Sequence, residues 1–354
     1  MATPSRLELD GAAQAPPEAP REAPRPRRGL RIALLAVGLA AALFVFRTVG
    51  WPAVSANLAR IGGWFAALVA IYAAAQLAFA AGWWVLFEPG PRRPGLLKLF
   101  AVYLAGDSFN YVAPGGVAGE PVKAKMLAGI SGTRSAVASL TIHKHADMLA
   151  QWLFIAAGVG VALARFSMPL AAKLAAIAGV VALGAGLLAL TWALRRGTYS
   201  PAVRLLSRWK FLARRLEWLH RPAQDLDDRI RDFYSRRLGR YAASTAWCSL
   251  GWCGGLLETW IVLQLLSPGA GWDAAFAIEA LAMTLNNMFL LIPARIGTAE
   301  GIRVGVFLLL GLAAGPGAAY SLVRRGRELV WTVPGFAAFF HWQAKEAMAG
   351  ERRN

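Results

Sequence analysis

The chain has 354 residues, of which 57% are hydrophobic, and a mean hydropathy of +0.44, above the roughly 45–50% apolar content of soluble domains. Its formal net charge is +18. The Lys and Arg fall mainly between long apolar runs and form no separate basic domain, which argues against a nucleic-acid partner and for basic loops facing anionic phospholipid.

Residues 1–29 are rich in Pro, Ala, Arg and Glu and hold almost no large apolar side chain. That composition cannot bury a core and predicts a disordered cytoplasmic tail. A first membrane half follows over 30–194, with apolar runs at about 30–46, 64–87, 134–165 and 170–194. Each is long enough to cross about 30 Å of hydrocarbon as helix. Trp64, Trp83 and Trp84 flank the second run as interfacial anchors. Region 98–130 is interrupted by Pro and Gly. Residues 195–240 are polar and strongly basic with partly helical spacing, predicting an amphipathic cytoplasmic linker. The second membrane half, 241–344, has spans at about 241–266 and 317–342 and an interrupted region at 274–312, before a cytoplasmic tail over 345–354.

The basic residues place both termini, the 88–98 turn and the linker in the cytoplasm. Region 98–130 must then start and finish inside, and 274–312 must start and finish outside. The first has only about 15 apolar residues on each side of its break, which favours re-entrance. For 274–312, re-entrant and fully spanning forms both remain open. The expected fold is all-α and integral to the membrane. It has about six spanning helices and two re-entrant broken-helix hairpins arranged as inverted repeats. Cys248 and Cys253 share one apolar run, and neither a disulfide nor a metal site is expected.

The two interrupted regions share a pattern. Asn110, Pro114, Gly115, Gly116, Gly119 and Glu120 follow one another in the first; Asn287, Pro293, Arg295, Gly297, Glu300 and Gly301 do so in the second. The separations Pro114–Glu120 and Pro293–Glu300 are six and seven residues, and Glu120–Asp147 and Glu300–Glu328 are 27 and 28. His143 and Lys144 precede Asp147 as Arg324 and Arg325 precede Glu328, which sets a cation one turn before a carboxylate on one helical face. Pro and Gly within an apolar region free backbone groups that lipid cannot satisfy, so such breaks face protein or a wet cavity. The helix start after each break favours an anion. Pro114, Gly115, Gly116, Gly119, Pro293, Gly297 and Gly301 are therefore candidate hinge or break positions.

Many ionisable residues lie at membrane depth, where even a lenient scale charges roughly 2.5–3.5 kcal/mol for each. They must pair, snorkel or line an aqueous cavity. Arg suits phosphate through its planar fork. The candidate substrate-binding set is Asn110, Glu120, Lys123, His143, Lys144, Asp147, Asn287, Arg295, Glu300, Arg303, Arg324, Arg325 and Glu328. His143 and His145 point to different sides of a helix, which speaks against a metal site. No nucleotide-binding loop or nucleophile elbow is present, and no cofactor is expected.

At these residues the chain resembles the flippase-like membrane domain family, named for the transmembrane region of lysylphosphatidylglycerol synthases. The resemblance rests on Asn110, Pro114-Gly-Gly, Gly119-Glu120, Asp147, and Pro293, Gly297 and Glu300-Gly301, and covers about 30–342. It implies lipid translocation between leaflets of a bacterial inner membrane. No attached synthase domain is recognised, so the chain is not expected to make lysylphosphatidylglycerol or to be an enzyme. Arg295 replaces a Gly of the family's usual Pro-Gly-Gly run, which bears on headgroup preference. The leading expectation is a flippase or transporter for an anionic or isoprenoid or hopanoid-type lipid. Alternatives are a lipid-modifying enzyme using His143 and Asp147, and an ion-coupled small-solute transporter. Small residues in the spans would allow a homodimer.

Overall fold

The computed structural model describes residues 51–91, 93–112, 118–209, 220–288 and 297–351. Within them every regular element is a helix, twelve in all. In chain order they are α1 (Trp51–Ile61), α2 (Trp64–Trp84), α3 (Leu96–Val112), α4 (Gly119–Ser131), α5 (Thr133–Arg165) and α6 (Leu170–Arg196). After these come α7 (Tyr199–Leu206), α8 (His220–Arg236), α9 (Leu238–Leu266), α10 (Trp272–Met288), α11 (Thr298–Leu309) and α12 (Ala314–Glu351). The expected span at 30–46, Pro114, Gly115, Gly116, Pro293 and Arg295 lie outside the described residues.

Four helices, α2, α5, α6 and α9, are long and apolar enough to cross a membrane. They coincide with four of the six predicted runs. The run predicted at 317–342 lies within α12, whose 38 residues carry Arg324, Arg325, Arg327 and Glu328 in the first half; those charges lower its hydropathy. α12 also continues to Glu351, where a tail is expected from 345. Its last turns hold Gln, Ala, Lys, Glu and Met, strong helix formers that give the helix no reason to stop.

Small residues bring the central pair together. A Cβ on Gly251 of α9 would lie 2.7 Å from the Phe79 ring, and one on Gly254 would lie 2.8 Å from Ala75 Cβ. α9 therefore seats directly on α2, as small residues permit between membrane helices. α3 packs mainly on α4 and α12, whereas α10 packs mainly on α5 and α9. Two large apolar cores result. One gathers Ile155, Val262, Ile278, Phe307 and Tyr320 around α10 and α11; the other gathers Trp83, Leu99, Leu127 and Ile230 around α3, α4 and α8.

Within the predicted linker, α7 and α8 are tied to the bundle by polar contacts. The Asp227 carboxylate accepts the amides of Thr198, Tyr199 and Ser200 at 2.8–2.9 Å and the Ser200 hydroxyl, capping α7. Buried His145 of α5 lies 2.8 Å from Thr191 of α6, Tyr234 of α8 and Tyr241 of α9. The amphipathic segment is thus docked on α5 and α6.

Candidate functional site

A cavity of about 380 Å³ opens within the bundle, walled by α2, α3, α5, α9, α10, α11 and α12. Its chemistry is unusual for a helix bundle with membrane-length members. Lys144, Arg303, Arg324, Arg325 and Arg327 line it together with Asp107, Asp147 and Glu328. Aromatic side chains fill much of the remaining wall, among them Tyr72, Phe79, Tyr103, Tyr111, Trp252 and Trp331.

One turn of α12 supplies most of the positive charge, and each of its arginines is anchored to a different helix. Arg324 pairs with Glu279 of α10, a carboxylate that also accepts the hydroxyls of Thr259 and Tyr320. Arg325 donates to Glu300 of α11 at 2.7 Å and lies 3.7 Å from Glu328. Arg327 donates to Glu258 of α9 at 2.5 Å and covers the Tyr72 ring at 3.9 Å. A charge buried among helices is tolerated because a carboxylate on a neighbouring helix compensates it, and removing either partner would strand the other.

The start of α11 shows why Glu follows Gly in the second motif. Gly297 adopts φ +81°, a left-handed turn that a side chain would strain, and the Glu300 carboxylate accepts the Gly297 amide at 2.7 Å. One carboxylate therefore closes the helix end and holds Arg325. In the first motif the Glu120 carboxylate receives Asn110 Nδ2 and Lys123 Nζ, each at 3.3 Å. The Asn110 side-chain Oδ1 accepts the Gly119 amide at 2.7 Å. A Cβ on Gly119 would lie 1.9 Å from the Gly106 carbonyl, so only glycine lets α4 approach α3 this closely.

The structure brings Asn110, Lys144, Asp147, Arg303, Arg324, Arg325 and Glu328 to the cavity wall. Both predicted one-turn pairs form, Lys144–Asp147 at 3.2 Å and Arg325–Glu328 at 3.7 Å. Glu120, Lys123, Asn287 and Glu300 are not part of the wall; Lys123 is buried over the Tyr103 ring at 4.4 Å. Gly301 lies in the first turn of α11. His143 is also away from the wall. It stacks on Trp83 with ring centroids 5.7 Å apart, and its Nδ1 lies 4.0 Å from Cys248 Sγ.

The sequence reading missed Glu279, although a lone acid inside the apolar stretch of α10 was the available signal. It also missed the aromatic wall and Gln76, whose side-chain amide donates to Asp107 at 2.6 Å. Asp107, Glu258 and Arg327 belong to the same charged wall and its supports, and nothing in their sequence spacing shows where they meet.

The family model for the lysylphosphatidylglycerol synthase TM region matches residues 30–335, nearly the whole chain. Comparison with curated proteins and with solved structures gave no match. Membrane-length apolar helices, charge compensation inside the bundle and this match agree, and the chain is a membrane protein that belongs to the lysylphosphatidylglycerol synthase TM region family.

Proposed function

We propose that the protein moves a lipid between the leaflets of a bacterial inner membrane, with both termini in the cytoplasm. The headgroup would occupy the cavity and the acyl chains would stay in the bilayer. The observation that carries this reading is the cavity itself, a charged and aromatic chamber whose walls include membrane-length helices. A polar path through the bundle lowers the cost of carrying a headgroup across hydrocarbon. The family resemblance implies an anionic or an isoprenoid or hopanoid-type lipid. The reading makes the protein a carrier and not an enzyme; His143, the proposed acid–base partner of the enzymatic alternative, packs on Trp83 away from the wall.

The packing supports an inverted-repeat arrangement. Exchanging α2 with α9, α3 with α10, α4 with α11 and α5 with α12 maps the α3–α12 contact onto the α10–α5 contact, and the α2–α9 contact onto itself. α4 and α11 have 13 and 12 residues, roughly 18–20 Å of helix at 1.5 Å per residue, too short to cross the core. Both features fit hairpins that enter and leave on one side.

A leaflet-resolved assay in proteoliposomes tests the function. Acyl-labelled anionic, zwitterionic and isoprenoid lipids are offered in one leaflet and their arrival in the other is timed. Transfer of at least one should exceed that in protein-free vesicles; no acceleration of any of them removes the proposal.

A further inference from the structure

Helix α7 turns its apolar side outward. Ala202, Leu205, Leu206 and Trp209 fall at i, i+3, i+4 and i+7, the spacing of one helical face. All four are exposed, Leu205 at 61% and Leu206 at 44%. The coil carries this face past the end of the helix, since the amides of Arg208 and Trp209 donate to the carbonyls of Leu205 and Leu206 at 3.2 Å. The other side of α7 is already held. The Asp227 cap fixes its first turn, and the Tyr199 hydroxyl lies 2.6 Å from Thr141 Oγ1 of α5, a membrane-length helix. The outer face cannot roll inward without breaking both contacts.

Two observations say what covers that face. Only Gly197 and Thr198 separate α7 from membrane-length α6, so three steps of chain keep the start of α7 within roughly 11 Å of the end of that helix. There Leu188 and Trp192 are exposed, and the Arg196 guanidinium lies 4.1 Å from the Trp192 ring. Trp and Arg side by side at the end of an apolar helix mark a membrane–water boundary. The second observation is charge. From Arg195 to Trp209 the chain holds Arg195, Arg196, Arg204 and Arg208 and no Asp or Glu. Asp227, at the first turn, is 3% exposed and engaged in the cap, and Asp228 pairs with Arg231 at 3.0 Å. Arg204 and Arg208 are four residues apart, so they stack along one edge of the apolar face. An outward apolar face edged by cations, at the depth where a membrane helix ends, matches a helix lying in the lipid surface.

We propose that α7 is an interfacial helix: Leu205 and Leu206 lie among acyl chains at the membrane surface, and Arg204 and Arg208 draw acidic phospholipid headgroups to that place. This surface is separate from the central cavity, and the inference holds whether or not the protein moves a lipid.

The test uses the full chain carrying Cys253→Ala, which leaves only the buried Cys248. Leu205→Cys is added and labelled with bimane, and the chain without an added cysteine measures the background. Asp228→Cys is the comparison, because the exposed positions of α8 are all polar. Each is reconstituted in vesicles of equal phosphatidylcholine and phosphatidylglycerol, with brominated chains on one lipid or the other; iodide is the aqueous quencher. Relative to the Asp228 label, the Leu205 label should lose more fluorescence to brominated lipid and less to iodide. Brominated phosphatidylglycerol should quench it up to about fivefold more than brominated phosphatidylcholine, equivalent to about 1 kcal/mol of attraction at the surface. Arg204→Gln with Arg208→Gln should remove that difference while lipid contact persists. A Leu205 label that iodide reaches as readily as it reaches the Asp228 label overturns the inference. So does a label shielded from both kinds of quencher, which would place the face against protein, this chain or a second copy. Lipid contact with equal quenching by the two brominated lipids overturns the pairing with acidic headgroups.

Discussion

Glu258 and Arg327 are 1% and 2% exposed and meet at 2.5 Å between α9 and α12. Replacing Glu258 with Leu leaves the guanidinium buried without its carboxylate, and breaking such a pair costs about 3–5 kcal/mol. Replacing both, as Glu258→Leu with Arg327→Met, removes the charge altogether. Apolar replacement of a whole buried pair is often neutral or stabilising by about 1–4 kcal/mol. Here part of that gain is lost, because Arg327 also covers Tyr72 at 3.9 Å, a contact worth about 1 kcal/mol. The double variant should therefore recover most of the stability that the single one loses. Thermal unfolding of wild type, both singles and the double in one detergent measures this. Glu258→Leu melting with wild type, or the double melting with Glu258→Leu, would refute the claim that compensation between helices holds these charges at depth.

Arg303 lines the cavity, and Arg303→Gln should slow lipid transfer by about tenfold, the effect of about 1.4 kcal/mol of lost headgroup binding; transfer rates at matched protein incorporation check this. Gly119→Ala should cost about 1–3 kcal/mol through overpacking, since its Cβ would meet the Gly106 carbonyl, whereas Gly129→Ala on the same helix meets nothing within 4 Å and should gain up to about 1 kcal/mol. Outside the spans, burial pushes the Asp227 carboxyl up, but hydrogen bonds from Ser200, Tyr199 and Thr198 outweigh it and hold it below its ordinary 3.8. A depressed carboxyl contributes fully above the ordinary value and loses that contribution as pH falls through the lowered one. Amide exchange over Tyr199–Leu206, corrected for intrinsic rate, should therefore increase only below that ordinary value in wild type, and at every pH in Asp227→Ala.

The apolar runs made most of the bundle legible, because membrane length is a strong signal and α2, α5, α6 and α9 carry few charges. α12 was harder to delimit: the run read at 317–342 covers only part of its 38 residues, and Arg324, Arg325, Arg327 and Glu328 in its first half lower its hydropathy. The one-turn pairs Lys144–Asp147 and Arg325–Glu328 were readable from helical spacing, which fixes neighbours three residues apart. Partners on different helices were not. Arg327 and Glu258 are 69 residues apart and Arg324 and Glu279 are 45, and periodicity does not say which face of one helix meets another. His143 was read as a binding residue on its charge neighbours alone, whereas the size and flatness of Trp83 decide where it packs.

An experimental density map of the protein in native-lipid nanodiscs would test the central claim most directly. A lipid with its headgroup inside the cavity and its chains outside the helices is the expected result. A cavity holding only water, with every ordered lipid on the outer surface, would contradict it.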